Sequence, residues 1–168
     1  MDGSFNGIMS PDGQMVAFTD QGTLSGSLYG VMVRKTDGSP AVRLGDGNAM
    51  DLSRDKRWVL ANLPTSPRQY RVYPTGAGSF RPVTWPKLAS VFGAGFVPDG
   101  KSLYVCGNEP GRAQRCYRSA LEGGDVTPVT PDSIMGFPSS DLGAVAAPRD
   151  GKVWVYPVDG ARVARSLV

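Results

Sequence analysis

The chain has 168 residues, room for one ordinary domain, and its 22 glycines and 14 prolines favour an all-β protein rich in turns. A formal charge of +3, with nine basic residues before position 85 and nine after, and a complete lack of histidine exclude a basic nucleic-acid stripe, Ser-His-Asp and Cys-His catalysis, and imidazole metal sites. Only Glu109 and Glu122 among the 15 acids are glutamates, no stretch carries a helical apolar period, and no apolar run is long enough to span a bilayer.

The first element signal is "IMSPDGQMVAF". Pro11 presets φ for a turn, Asp12 can accept hydrogen bonds from nearby N–H groups, and Gly13 tolerates positive φ, so the chain reverses between two apolar runs. After a polar loop, "YGVMVRK" reads as a third strand, "TDGS" as a turn and "AVRL" as a fourth. The next copy, "DLSRDKRWVLA", keeps Asp55 but has Arg54 and Lys56 in place of proline and glycine; "QYRVYP", "TGAG" and "RPVT" follow.

A third copy, "FVPDGKSLYV", restores the turn with Pro98, Asp99 and Gly100, and is followed by "RCYRSA", "LEGG" and "VTPV". The fourth is "FPSSDLGAVAA", with Asp141, followed by "KVWVYP", "VDGA" and "ARVARSL". The aspartates at 12, 55, 99 and 141 are 43, 44 and 42 residues apart. A period in the forties with four short strands per repeat predicts β-propeller blades, near 1–45, 46–88, 89–132 and 133–168. Trp58 and Trp154 fall inside strands and read as packing residues.

Propellers usually have about four to eight blades, and terminal repeats need covering. The sequence is therefore expected to be a segment of a larger propeller of six to eight blades, or else a ring of four. Further blades or a second copy would complete the ring in the first case.

Cys106 closes the second strand of the third repeat and Cys116 opens its third strand. Antiparallel pairing about Gly111 would set them opposite each other, as a cross-strand disulfide or as two small buried thiols. The turn aspartates read as architectural, and "LGDGNAMD" lacks the oxygen spacing and closing glutamate of an EF-hand. No GxSxG elbow, phosphate loop or kinase motif is present. No cofactor, metal or catalytic residue is assigned.

In a propeller, the loops joining second to third strands and one blade to the next gather on one face, and rigidly held loops carry function. Arg68, Trp85, Lys87, Glu109 and Arg112 are the candidate contacts there, because aromatics and arginines dominate binding energy. A protein, peptide or small ligand is the expected partner, with no nucleic acid and no membrane insertion by this segment.

The "PDG" turn between short strands, with "YPTGAGSFRPV", "FVPDGKSLYVCGNEPGRAQRCYRSALEGGDVTPVTPD" and "VWVYPVDGARVARSL", resembles the TolB-like propeller repeat across essentially the whole chain. The resemblance extends to propeller segments that many bacteria append to eukaryotic-like serine/threonine kinases. It implies a non-catalytic sensor or scaffold module of a larger regulatory protein, on the periplasmic side. The alternatives are the gating propeller of a prolyl-oligopeptidase-like hydrolase, whose catalytic domain would lie elsewhere, and an autonomous enzyme working through carboxylates.

Overall fold

The computed structural model describes residues 4–22, 25–139, 143–159 and 163–167, with the side chains of residues 4–6 and 139 left aside. Four antiparallel sheets of four strands follow one another along the chain, and in each the strands pair in sequence order. The first contains β1 (Ser4–Met9), β2 (Met15–Asp20), β3 (Gly30–Lys35) and β4 (Val42–Asp46). The second contains β5 (Asn48–Leu52), β6 (Trp58–Leu63), β7 (Gln69–Pro74) and β8 (Arg81–Val83). The third holds β9 (Ser90–Phe96), β10 (Ser102–Asn108), β11 (Arg115–Ala120) and β12 (Gly123–Pro128), and the fourth β13 (Phe137–Ser139), β14 (Ala144–Arg149), β15 (Lys152–Pro157) and β16 (Arg165–Ser166). Each sheet is one blade-like repeat.

The chain forms two compact units, Met1–Thr84 with the first two sheets and Trp85–Val168 with the last two. Within the first unit, Ala17, Val31 and Val33 pack on Ala49, Leu52, Val59, Ala61 and Tyr73 of the neighbouring sheet. Within the second, Val97, Cys106 and Cys116 pack on Val145, Ala147, Tyr156 and Val158. Period-two alternation sends these β-branched and aromatic side chains to one face of each strand. Burying each large apolar one contributes about 1.5–3 kcal/mol relative to leaving it exposed.

Polar groups latch one sheet to the next. The Thr19 hydroxyl accepts from the Ala49 N–H at 2.9 Å, and the Tyr73 hydroxyl donates to the Asp46 carbonyl at 2.6 Å. That second bond needs Gly45, since a Cβ there would lie 2.3 Å from Tyr73 Cε1.

Two local details differ from the sequence reading. The expected "LEGG" turn is only Leu121–Glu122: Ala120 already pairs with Gly123, and Gly123 and Gly124, at φ 83° and 84°, belong to β12 where its register shifts. In the fourth sheet, second and third strands are joined by Asp150–Gly151 alone, both at positive φ (53° and 72°), the geometry of a type I′ hairpin. The other sheets have longer loops there, 21–29, 64–68 and 109–114.

Candidate functional site

The repeated turns are polar cages around one aspartate. In the first, Ser10 Oγ donates to Asp12 Oδ1 (2.7 Å) and accepts from the Met15 N–H (3.0 Å), while Gln14 N–H reaches the same carboxylate oxygen (3.1 Å). The second repeats this with Ser53, Asp55, Trp58 and Arg57, at 2.7, 2.9 and 3.1 Å. Lys56 stands where Gly13 stands, at φ 60° against 69°, so the eroded sequence keeps the turn at the cost of a strained lysine backbone.

In the third copy Val97 occupies the serine position, and Asp99 Oδ1 accepts from both Lys101 N–H (2.8 Å) and Ser102 N–H (2.9 Å). Arg118 closes that cage on Asp99 Oδ2 (2.8 Å). Gly100 takes φ 66°. Burial pulls the Asp99 carboxyl upward, but the two amides, Ser102 and Arg118 outweigh it and hold its pKa below the ordinary value. Asp141 lies outside the described residues. These carboxylates spend their lone pairs on the turn itself, which leaves them poorly suited to act on a substrate.

At the loop end of the first sheet, a denser group appears that residue spacing does not reveal. Asp20 accepts from the Gly22 N–H at 2.9 Å and from the Ser25 hydroxyl. Ser25, then Gly22, hold its carboxyl below the usual range, with the charge of Arg43 assisting. Arg43 pairs with Asp46 at 2.7 Å, and a Cβ on Gly30 would meet Ser25 Oγ at 3.0 Å and Arg43 Nε at 3.3 Å. The available signal was Asp20 ending one strand and Asp46 ending another beside the single connecting residue Gly47.

The five candidate contacts separate. Arg68 is exposed in loop 64–68, beside the cis Ser66–Pro67 bond, and its charge and hydrogen bond act on Tyr70. Glu109 and Arg112 pair with each other across loop 109–114 at 3.4 Å, and Lys87 pairs with Asp125 at 3.0 Å, largely in solvent. Trp85 is only 6% exposed, and its indole N–H donates to Ser119 Oγ at 2.8 Å.

Cys106 and Cys116 are directly opposite in the β10–β11 register and joined by a disulfide, buried at 3% and 0% exposure. The bond closes the base of loop 109–114. Arg115, next to it, pairs with Asp132 at 2.8 Å and lies 5.3 Å over the Tyr117 ring. Among the described residues, no group of three His, Cys, Asp or Glu side chains is placed to hold a metal ion.

No family model matches the sequence, and no curated protein does. Solved structures match its fold. TolB from Acinetobacter baumannii is 16% identical with a TM-score of 0.71, the match covering 99% of this chain and 44% of that one. A putative TolB from Agrobacterium tumefaciens is also 16% identical at a TM-score of 0.71, with 95% and 63% covered. The β-propeller domain of the Trilobed protease from Pyrococcus furiosus is 8% identical at 0.68, with 99% and 57% covered. The chain thus spans roughly half the length of the solved propellers it matches. Its four consecutive antiparallel sheets have the fold of the TolB-like β-propeller.

Proposed function

We propose that this chain is a non-catalytic binding module, a sensor or scaffold that presents its loop ends to a protein, peptide or small ligand within a larger bacterial regulatory protein. The carrying observation is loop 109–114: a disulfide closes its base, Arg112 N–H bonds the Glu109 carbonyl at 3.0 Å, and the two side chains form an ion pair at its rim. A loop ordered before binding loses little entropy on capture, which is what a recognition surface needs. The absence of histidine and of nucleophile motifs from the sequence supports leaving chemistry to another domain, and a serine/threonine kinase is the effector that the repeat resemblance suggests. The disulfide favours an oxidising, extracytoplasmic compartment.

The test is titration of the isotope-labelled chain with a diverse peptide library, read by amide shifts. The reading expects shifts concentrated in loops 64–68 and 109–114 and weakened by Arg112→Ala or Arg68→Ala. Shifts spread over strand residues, or none from any pool, would count against it.

A second reading, the gating propeller of a prolyl-oligopeptidase-like hydrolase, draws support from the likeness to the Trilobed protease propeller. The complete reading frame separates the two: a GxSxG hydrolase domain beside this segment favours the gate, and a kinase domain favours the sensor.

A further inference from the structure

Four buried side-chain nitrogen or oxygen atoms have no hydrogen-bond partner among the described residues: Arg115 Nε, Tyr117 OH, Trp154 Nε1 and Tyr156 OH. Arg115 already pairs its charge with Asp132. Trp154 and Tyr156 lie two residues apart on β15, so they project from one face of the strand, into the packing of the fourth sheet on the third beside Cys106 and Cys116. Their rings stack with centroids 6.5 Å apart. Tyr156 is 4% exposed and Trp154 is partly buried.

Arg149, the last residue of β14, adjoins both. Its guanidinium carbon stands 5.4 Å over the Trp154 ring. The Tyr156 hydroxyl, without meeting hydrogen-bond geometry, is near enough to be the leading cause of the raised Arg149 pKa. Asp150 faces Arg149 Nε at 3.3 Å, but largely in solvent, where an ion pair holds weakly. A guanidinium and an indole N–H can only donate, and the phenol has a hydrogen to give. Three donors therefore meet without a buried acceptor, and two of them carry an unrepaid desolvation cost. The positive charge of Arg149 selects an anion as the missing acceptor. A planar carboxylate matches the guanidinium fork and has lone pairs left for the N–H and O–H groups. Since the Arg149 side chain is itself 42% exposed, it can swing outward to admit such a group without any strand moving.

We propose that Arg149, Trp154 and Tyr156 form a carboxylate-binding site on the third-sheet side of the fourth sheet, taking a free small carboxylate or the carboxyl end of a peptide. The site lies outside loops 64–68 and 109–114 and stands whether or not they bind a partner.

Titration of the isotope-labelled chain with sodium acetate, against sodium chloride at equal ionic strength, reads the indole N–H signals of its three tryptophans separately. The Trp154 signal is expected to move downfield and saturate as a charge-assisted bond forms. Those of Trp58 and Trp85 should stay in place, the latter already having Ser119 as its acceptor. Arg149→Gln should weaken binding roughly ten-fold or more, as loss of a hydrogen bond between charged groups does. Tyr156→Phe should weaken it too, yet leave the thermal midpoint in chloride unchanged or higher, because it removes a hydroxyl that the free protein does not satisfy. N-acetyl-triglycine and its C-terminal amide then separate the two sources. Tighter binding of the peptide acid than of acetate assigns a peptide end, equal or weaker binding assigns a small carboxylate, and the amide should not bind in either case. No saturable Trp154 shift, an equal shift from chloride or from the amide, parent-like binding by either variant, or a Tyr156→Phe chain less stable in chloride would each overturn the proposal.

Discussion

Lys56 of the second sheet's turn reaches Asp12 in the turn of the first: its ammonium donates to Asp12 Oδ2 and, at 3.0 Å, to Gln14 Oε1. The residue that breaks the turn signature is thus the one that ties two repeats together. With Lys56 as the largest cause, followed by Ser10 and the Gln14 N–H, the Asp12 carboxyl is lowered from 3.8 to about 2.

A depressed carboxylate pKa adds stability that is fully present above the unfolded-state value and disappears as pH falls through the folded one. For Asp12 that window runs from about pH 4 down to about pH 2. In Lys56→Gly, which still accepts positive φ, an NMR titration should find the Asp12 pKa moved upward, and the acid-dependent stability loss should be smaller and complete at a higher pH. An unchanged Asp12 titration would mean that Ser10 and the Gln14 amide carry the shift alone.

The serine of the turn should matter more than its sequence suggests. Ser53 is fully buried and its hydroxyl serves both Asp55 and the Trp58 N–H, so Ser53→Ala leaves a part-buried amide without its acceptor and should cost roughly 1–2 kcal/mol in urea unfolding. Asp99 does in the third copy what serine and aspartate share in the first two. Asp99→Ala should therefore destabilise more than Asp55→Ala, by about 1 kcal/mol.

These cages mark how far the sequence can be read. The spacing of the aspartates at 12, 55, 99 and 141 carries the four-sheet architecture, because each strand-turn-strand unit needs a residue that caps its own backbone. Pairing order follows from alternation and short connections. The Asp20–Ser25 and Arg43–Asp46 contacts do not follow, since they join loop and strand-end residues whose spacing obeys no repeat. The burial of Trp85 is hidden for a related reason: a tryptophan in a polar, proline-containing connection looks available, and its bond to Ser119 on β11 joins residues 34 positions apart.

That burial makes Trp85→Phe a discriminating variant. It removes the indole N–H that bonds Ser119 Oγ inside the third sheet's packing, and should lower stability by roughly 1–2 kcal/mol. Any peptide affinity measured on the loops should stay within two-fold, about 0.4 kcal/mol. A large affinity loss at unchanged stability would place Trp85 on the binding surface.

The last prediction concerns the covalent link under loop 109–114. Cys106 and Cys116 are ten residues apart in sequence, and closing a loop of that size in the unfolded chain stabilises the fold by roughly 2.5–3 kcal/mol in the chain-entropy model. Intact mass should increase by about two protons on full reduction after unfolding. The denaturant midpoint should fall in reductant by the corresponding amount, with an unchanged slope if the reduced chain still unfolds in one step. Because both sulphurs are buried in the packing of the third sheet on the fourth, reduction under native conditions should be slow and should accelerate with denaturant. Fast reduction in buffer alone would mean that this packing opens locally, and a mass that does not change on reduction would remove the bond from the native protein altogether.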